Sequence, residues 1–513
     1  MRLASVALAA ALLAAPFVVA PAWAASTASV AWAAVASDAD MAQQFSRAKA
    51  ENKPVLLYWG ATWCPPCNQL KATLFNRADF IEQSKSFVAV GLDGDAPGAQ
   101  KLGERFKVRG YPTLILFTPA GQEITRLPGE ADAPQVVKLL QLGLAGGRPI
   151  KAVLTDAQAN KKLSANEWRL LAFYSWETDY DQLINAKDKG AVLSRLAQAA
   201  EATAPEAALR LTLKALATEG TPLKPDAALL ARVRAVLANP AQSRAMMDVL
   251  VNEAPDLVRN LTPDAGAART ALAADFEPAL KRLEQDASLS RADRLGALRA
   301  RVELARIDQP KTDVSAKLPA ALQQEARDAA QRAHREITDG YERQAVVTEA
   351  AYLLTRANLW KDSDELLKSA IARSHSPYYL MSQLGSNARK QGHKAEALRW
   401  YEEAFNKSEG PATRLQWGAG YFSALVELAP EDAARIEKAA SQLFSEAAGD
   451  PSAFYERSER SLKRVAEQLT AWNKDGSKAA VIGRLKTQLD GVCAKLDAAE
   501  TKARAACGKL LKA

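Results

Sequence analysis

Two cysteines separated by two prolines, Cys64-Pro65-Pro66-Cys67, are the residues of this chain best suited to chemistry. They follow an apolar run, residues 54–59, that is typical of a buried strand, and they precede a stretch that can continue as a helix. At a helix start, free amides and the helix dipole stabilise a thiolate at Cys64. Cys67 lies one turn further on, close enough to form a disulfide with it. The spacing therefore indicates thiol–disulfide exchange, with an exposed Cys64 that attacks and a more buried Cys67 that resolves.

The two intervening prolines weaken the electrostatics of that helix start. Proline is tolerated in a first helical turn because the amides there have no intrahelical partner. Here, however, two amides that could point at the Cys64 sulfur are missing, so its stabilisation depends on the amides of Cys67 and Asn68 and on the dipole. We expect a moderately stabilised thiolate rather than an extremely stabilised one.

A second segment complements the cysteine pair. Gly110-Tyr111-Pro112-Thr113 opens another apolar run, residues 114–117. Together the two segments resemble the active site of the thioredoxin fold, in which the X-Pro bond is cis and faces the CxxC. The resemblance implies that Pro112 is cis and that the backbone of Tyr111 pairs with an extended substrate. Trp63 would provide an apolar rim, which makes Trp63, Tyr111 and Pro112 the predicted substrate-binding residues.

Residues 29–148 resemble the thioredoxin-like group that includes the C-terminal domain of bacterial transmembrane thiol reductases. The lead-in at residues 48–57 and the segment at residues 67–75 carry that likeness. Residues 108–113 are more similar to protein disulfide isomerases. The resemblance implies protein thiols and disulfides as partners, and it favours a membrane thiol reductase as the electron donor.

Two departures from thioredoxin leave the proton acceptor of Cys67 open. Thioredoxin has a buried acid six residues before the first cysteine, where this chain has Tyr58, and a helix-kinking proline where this chain has Ala72. Asp93 and Asp95, which follow the next predicted strand, are either substitutes for that acid or loop carboxylates in water.

Other uses of a CxxC pair fit this sequence less well. A zinc site needs two further ligands, but the other cysteines are far away in sequence, and His334, His375 and His393 lie in a helical part. Haem attachment needs a histidine directly after the second cysteine, where Asn68 stands. A purely structural disulfide closing so short a loop would constrain little. We therefore expect neither a metal nor another cofactor.

The remaining cysteines, Cys493 and Cys507, lie in a helical tail rich in Lys, Ala and Leu. On one continuous helix they would be about 21 Å apart, too far to bond. If the chain turns back near residues 498–502, they can pair, and a structural disulfide is the favoured interpretation in an oxidising compartment. Electron shuttling with Cys64 and Cys67 is the alternative.

The pattern before residue 149 alternates strands and helices. It predicts helices at residues 41–51, 64–75, 79–84, 99–106 and 134–144, and strands at residues 54–59, 87–92, 113–117 and 123–126. Residues 146–149 are predicted to be a linker. Beyond it Ala, Leu, Glu, Lys and Arg dominate, and apolar residues recur three and four apart, which indicates short helices.

One stretch of the helical part matches the tetratricopeptide (TPR) pattern, with weaker matches about 34 residues to either side. The matching positions are Leu384, Gly385, Ala388, Gly392, Ala397, Tyr401 and Ala404. The predicted fold is thus an α/β thioredoxin-like domain at residues 29–148 followed by a large all-α helical-repeat solenoid. We divide the latter into a helical region at 150–345, TPR-like repeats at 346–440 and a C-terminal helical region at 441–513.

Residues 1–24 predict a cleavable signal peptide. Arg2 precedes a long apolar run that ends in Ala22-Trp23-Ala24, an A-x-A cleavage site; an uncleaved membrane anchor is the alternative. No later segment is long and apolar enough to span a membrane, so we expect a soluble protein exported to a bacterial periplasm. The net charge of +8 is spread over interleaved Lys, Arg, Asp and Glu, which does not indicate nucleic-acid binding.

These patterns favour a periplasmic thiol–disulfide oxidoreductase whose helical solenoid selects the protein partner. The direction of electron flow stays open among reductase, isomerase and oxidase. A different class of function is a TPR-type scaffold whose thioredoxin-like domain is a docking module that is not catalytic in the cell. A dedicated assembly factor, for example one that reduces apocytochrome cysteines, is a third possibility.

Overall fold

The structure is a computed structural model. It describes residues 29–129, 132–179, 182–310, 314–315, 317–450 and 452–511. The predicted signal peptide, residues 1–24, lies outside the described residues. Within those residues, no helix is sufficiently long and apolar to cross a membrane.

The N-terminal part is built around a five-stranded mixed sheet in the order β1-β3-β2-β4-β5. Its strands are β1 (Ala33–Ala34), β2 (Val55–Gly60), β3 (Val88–Asp93), β4 (Thr113–Phe117) and β5 (Glu123–Leu127). Its helices are α1 (Asp38–Glu51), α2 (Pro65–Thr73), α3 (Ala78–Gln83), α4 (Ala99–Arg105) and α5 (Ala133–Leu144). The nine predicted elements are confirmed, with ends within three residues of those expected, and only the two-residue β1 was not predicted.

Strand β2 is the centre of this sheet and leads directly to the cysteine pair. It is parallel to β3 on one side and antiparallel to β4 on the other. All six of its residues are buried, which explains why it is a continuous apolar run instead of an alternating one. Gly103 of α4 makes room for Trp59 of this strand, because a Cβ at Gly103 would lie 2.9 Å from the indole ring.

The described chain from Ile150 onward contains helices and loops without strands, which confirms the predicted all-α region. Its first ten helices are α6 (Ile150–Gln158), α7 (Ala165–Ala172), α8 (Lys189–Ala200), α9 (Pro205–Ala217), α10 (Ala227–Ala238), α11 (Pro240–Ala245), α12 (Met247–Asn252), α13 (Ala254–Leu261), α14 (Ala267–Gln285) and α15 (Arg291–Ala305). The others are α16 (Ala320–Glu336), α17 (Gly340–Arg356), α18 (Trp360–Ile371), α19 (Pro377–Lys390), α20 (Lys394–Lys407), α21 (Pro411–Leu428), α22 (Ala433–Ala448), α23 (Glu456–Trp472), α24 (Ala479–Ala494) and α25 (Thr501–Cys507).

Helices α19 and α20 coincide with the best TPR match. They are joined at Gly392, which has a φ of +80°, a conformation that glycine adopts without strain. At Gly385 a Cβ would lie 3.0 Å from the Tyr401 ring, so the two helices approach closely where the pattern requires a small residue. The repeat assignment itself stays a prediction.

Candidate functional site

Cys64 and Cys67 form a disulfide at the start of α2, with their Cα atoms 5.2 Å apart. Cys64 is the N-cap residue, and its Sγ accepts a hydrogen bond from the backbone N–H of Cys67 at 3.1 Å. The Asn68 amide donates to the Cys64 carbonyl oxygen instead, at 3.0 Å. Of the two amides expected at the sulfur, therefore, only that of Cys67 is directed at it.

The three predicted substrate-binding residues gather beside this disulfide. The Tyr111–Pro112 peptide bond is cis, as expected. The rings of Trp63 and Tyr111 lie 5.6 Å apart between centroids, and the Tyr111 hydroxyl accepts a hydrogen bond from Gln100 Nε2 at 3.2 Å. The sheet thus brings together two segments that are more than forty residues apart in sequence.

The expectation that Cys64 is exposed is wrong, because the helical region covers this face. Cys64 is 1% exposed and Trp63 is 8% exposed. The Trp63 ring stacks on Tyr379 of α19, 5.9 Å between centroids and 17° between planes, and meets Trp417 of α21 edge-on at 4.9 Å. Tyr378 of α19 belongs to the same apolar cluster as both cysteines. The core beneath the CxxC is therefore shared by the two parts of the chain.

Asp95 joins the thioredoxin-like part to the helical region through polar contacts. Its carboxylate accepts hydrogen bonds from Trp63 Nε1 at 3.0 Å and from the Thr413 hydroxyl at 2.6 Å. It also pairs with Arg457 Nη2 at 2.5 Å. The interpretation of Asp95 as a loop carboxylate in water is therefore wrong.

Arg457 of α23 occupies a central place on this face. Its guanidinium carbon lies 5.3 Å from the Trp63 ring centroid and 4.8 Å from that of Tyr111, a cation–π arrangement. Its backbone N–H donates to Gln100 Oε1 at 3.0 Å. Two predicted substrate-binding rings thus contact a cation supplied by the helical region.

Further polar contacts hold the ends of the CxxC segment. Gln69 Nε2 of α2 donates to Asp293 Oδ1 at 2.8 Å and to Ser290 Oγ at 3.1 Å, both at the start of α15. The ring Nε2 of His375, between α18 and α19, lies 3.1 Å from the Thr62 carbonyl oxygen. The CxxC segment is consequently fixed from several helices at once.

Tyr58, where thioredoxin has its buried acid, faces a cavity of about 430 Å³ that Lys71 and Asp93 also line. The Tyr58 hydroxyl has no hydrogen-bond partner among the described residues, and its burial raises its pKa above the usual value of 10.0. Desolvation in this cavity also raises the pKa of Asp93 and lowers that of Lys71. That Asp93 accepts the proton of Cys67 stays a prediction.

Cys493 and Cys507 form a second disulfide, with Cα atoms 5.7 Å apart, as the pairing interpretation predicts. The chain turns back between α24 and α25, which brings the two residues together. The turn and α25 also contact α4 of the thioredoxin-like part, where Lys101 Nζ pairs with Glu500 at 2.5 Å and Lys502 pairs with Glu104. This disulfide therefore closes the segment that packs the turn and α25 against α4.

The residues that sequence reasoning missed are those of the helical region that complete the site, chiefly Tyr379, Thr413, Trp417 and Arg457. Each lies more than 300 residues after the cysteine pair. Across the described chain, no group of three or more His, Cys, Asp or Glu side chains is arranged to hold a metal ion.

A family model described as a thioredoxin-like domain matches residues 41–143. The thiol:disulfide interchange protein DsbD 2 of Pseudomonas aeruginosa is 34% identical over 103 residues, which are 19% of this chain and 18% of that protein. The thioredoxin-like protein slr0233 of Synechocystis sp. is 30% identical over 90 residues, 18% of this chain and 81% of that protein.

A solved structure titled DsbH oxidoreductase covers 23% of this chain and 88% of its own, at 18% identity and a TM-score of 0.21. The chain spans less than a fifth of the length of the Pseudomonas aeruginosa interchange protein. It spans most of the Synechocystis protein at the identity given above. With its CxxC at the start of α2 and its cis-proline beside it, the chain belongs to the thioredoxin-like family.

Proposed function

We propose that this protein is a periplasmic thiol–disulfide oxidoreductase in which Cys64 and Cys67 are the catalytic residues. The observation that carries the proposal is the disulfide at the N-terminus of α2, with the Cys67 amide directed at the Cys64 sulfur and the cis-Pro112 segment beside it. A preorganised donor at that sulfur favours the thiolate form, which is the reactive one.

The exchange proceeds through a mixed disulfide. In the reducing direction, the Cys64 thiolate attacks one sulfur of a partner disulfide, forms a new S–S bond and releases the other partner sulfur as a thiolate. The Cys67 thiolate then attacks the Cys64 sulfur and releases the second partner thiolate. The partner gains two electrons and, on protonation, two protons, while the Cys64–Cys67 disulfide re-forms. The opposite direction reverses each step.

The location and the electron donor belong to the same proposal. The pattern of residues 1–24 is that of an export signal, and the matched Pseudomonas aeruginosa protein is named for thiol:disulfide interchange. We assign a membrane thiol reductase as the donor that recharges the pair. Tyr111 and Pro112 would contact the partner, and Trp63 would do so only after Tyr379 and Trp417 have moved from its ring. The helical region, including the TPR-like repeats at 346–440, would select the partner.

A second candidate function is favoured by the burial of Cys64, which is 1% exposed. In a scaffold, the thioredoxin-like domain would be a docking module around which the helical region wraps, and its cysteines would stay oxidised and idle. The shared apolar core around Trp63 is compatible both with this scaffold and with a catalyst whose cysteines are covered.

Trapping separates the two candidates. The mature Cys67→Ala variant should accumulate a covalent mixed disulfide at Cys64 when incubated with disulfide-containing periplasmic proteins, offered both folded and denatured, because the resolving thiol is absent. The Cys64→Ala variant is the matched control and should trap far less. Capture by neither variant, together with an unchanged cellular phenotype for Cys64→Ala, would establish the scaffold function instead.

A further inference from the structure

A cavity of about 290 Å³ lies between the CxxC segment and the helical region. We name it the flanking cavity. On the thioredoxin-like side its wall includes Pro65, Pro66, Tyr111 and Pro112. On the opposite side it is lined by residues of α12, α15 and α17, which include Asn252, Gly296, Arg299, Thr348 and Glu349.

The flanking cavity runs beside the CxxC turn, although neither cysteine lines it. Its wall contains the two residues that directly follow Cys64, and the cis-proline segment beside them. On the Trp63 side, by contrast, Tyr379 and Trp417 pack against the indole and close the approach. A partner in the flanking cavity therefore meets the chain at Pro65, the residue next to Cys64 in sequence.

The size of the flanking cavity limits what can enter. Its volume corresponds to about ten water molecules at roughly 30 Å³ each, and it is just below the range of about 300–1,000 Å³ for small-molecule pockets. That space accommodates a cysteine and its immediate neighbours in an extended chain. It does not accommodate the surface of a folded domain.

Both walls of the flanking cavity combine apolar and polar groups. The CxxC side has the prolines and Gln69, and the helical side has apolar residues that include Met247 and Val251. On the helical side Arg299 Nε also pairs with Glu349 Oε1 at 2.7 Å, and Arg299 Nη2 donates to Asn252 Oδ1 at 3.3 Å. An extended peptide offers both backbone polar groups and side chains, so it suits a cavity of mixed lining. A Cβ at Gly296 would already lie 3.1 Å from Val251 Cγ1, so a larger side chain there would take up space in the cavity.

We propose that the helical region restricts exchange at Cys64 to a thiol or disulfide carried on a single extended strand, which enters through the flanking cavity, and excludes folded proteins. This rests on the proposed function, since it names the substrate class of the same cysteine pair. A strand of this kind is supplied by an unfolded polypeptide or by a small peptide thiol such as glutathione.

The test compares three disulfides as oxidants of the reduced, mature protein under identical conditions. They are glutathione disulfide, an unstructured peptide whose single cysteine is disulfide-linked to glutathione, and a folded protein with an exposed disulfide. In each case the Cys64–Cys67 pair is oxidised and two thiols are released. We expect the strand-like disulfide to react at least about tenfold faster than the folded protein, because only the strand can align with Cys64. The first two oxidants distinguish a small peptide thiol from an unfolded chain.

Variants that fill the flanking cavity test the route. Gly296→Phe should slow the strand-like oxidants at least about tenfold, because the ring occupies their path. Gly483→Phe is the matched control: Gly483 also lies within a helix, but it is exposed and a Cβ there meets nothing within 4 Å. Ala292→Leu, a smaller change in the same wall, covers the case that Gly296→Phe fails to fold, which the thermal unfolding midpoint reveals.

The outcomes distinguish the inference from the function on which it rests. A folded protein that reacts as fast as the peptide would overturn the inference while leaving the oxidoreductase function intact. Unchanged peptide rates in folded Gly296→Phe or Ala292→Leu would likewise exclude the flanking cavity as the route. If none of the three disulfides oxidises the reduced pair, the proposed function itself is wrong.

Discussion

Replacing Asp95 by alanine should weaken the attachment of the helical region to the CxxC face. The side chains of Asp95 and Arg457 are only 11% and 9% exposed, and the carboxylate also accepts hydrogen bonds from Trp63 and Thr413. Removing one partner of a buried pair leaves the other charge uncompensated and costs about 3–5 kcal/mol. Because both groups keep some contact with water, we expect a loss of about 3 kcal/mol in the free energy of unfolding.

Urea denaturation of the mature protein measures that loss, and Asp79→Ala is the matched control. Asp79 pairs with Arg77 on the surface, where the side chains are 47% and 36% exposed, so its removal should cost no more than about 1 kcal/mol. In the reduced protein, Asp95→Ala should also accelerate alkylation of Cys64, since the cover over Trp63 is loosened.

A double-mutant cycle with Arg457→Met isolates the pair. Removing both charges should restore part of the loss, because the stranded guanidinium is gone. If Asp95→Ala lowers the free energy of unfolding no more than Asp79→Ala does, or if the Asp95 and Arg457 effects are simply additive, the buried pair does not stabilise the interface.

Two further predictions concern the helical region. Replacing Cys493 and Cys507 by serine should lower the free energy of unfolding by up to about 3 kcal/mol, the value for a closed loop of this size, and should speed amide hydrogen exchange in α25. A changed reduction potential of the Cys64–Cys67 pair would instead favour electron shuttling between the two disulfides. Burial acts to raise the pKa of Asp248, but the Arg210 guanidinium outweighs it and holds the pKa below 3.8. As the pH falls, the carboxylate of Asp248 therefore protonates in the unfolded chain before it does so in the folded protein. The Arg210–Asp248 pair stabilises the folded state fully above about pH 4, and this stabilisation declines as the pH falls further. Urea midpoints measured through that range should fall more steeply for the wild type than for Asp248→Asn; equal slopes would contradict this.

The elements of the N-terminal part were predicted well because their sequence signals lie within a few neighbouring residues. The apolar run of β2, the cysteine spacing and the Tyr111-Pro112 segment each act over a few residues, and the turn at residues 119–121 identifies the β4–β5 hairpin. Strand β1 was missed because two alanines have no pattern from which a strand can be inferred. The all-α character of the later chain followed from its apolar spacing.

The burial of the site could not be predicted in the same way. Cys64 is covered by helices whose residues lie hundreds of positions away, and packing between such distant segments leaves no periodic trace in either one. Asp95 illustrates this point, because its sequence context is that of a loop and its partners Thr413 and Arg457 belong to α21 and α23.

The reduction potential of the Cys64–Cys67 pair, measured on the mature protein in glutathione and dithiothreitol buffers, shows whether the pair is redox-active. We expect a reversible two-electron transition that is absent in Cys64→Ser. A potential of about −270 mV would identify a reductant recharged by a membrane donor, and one of about −120 mV an oxidant or isomerase. If the pair cannot be cycled between its dithiol and disulfide forms, the protein is not a thiol–disulfide oxidoreductase.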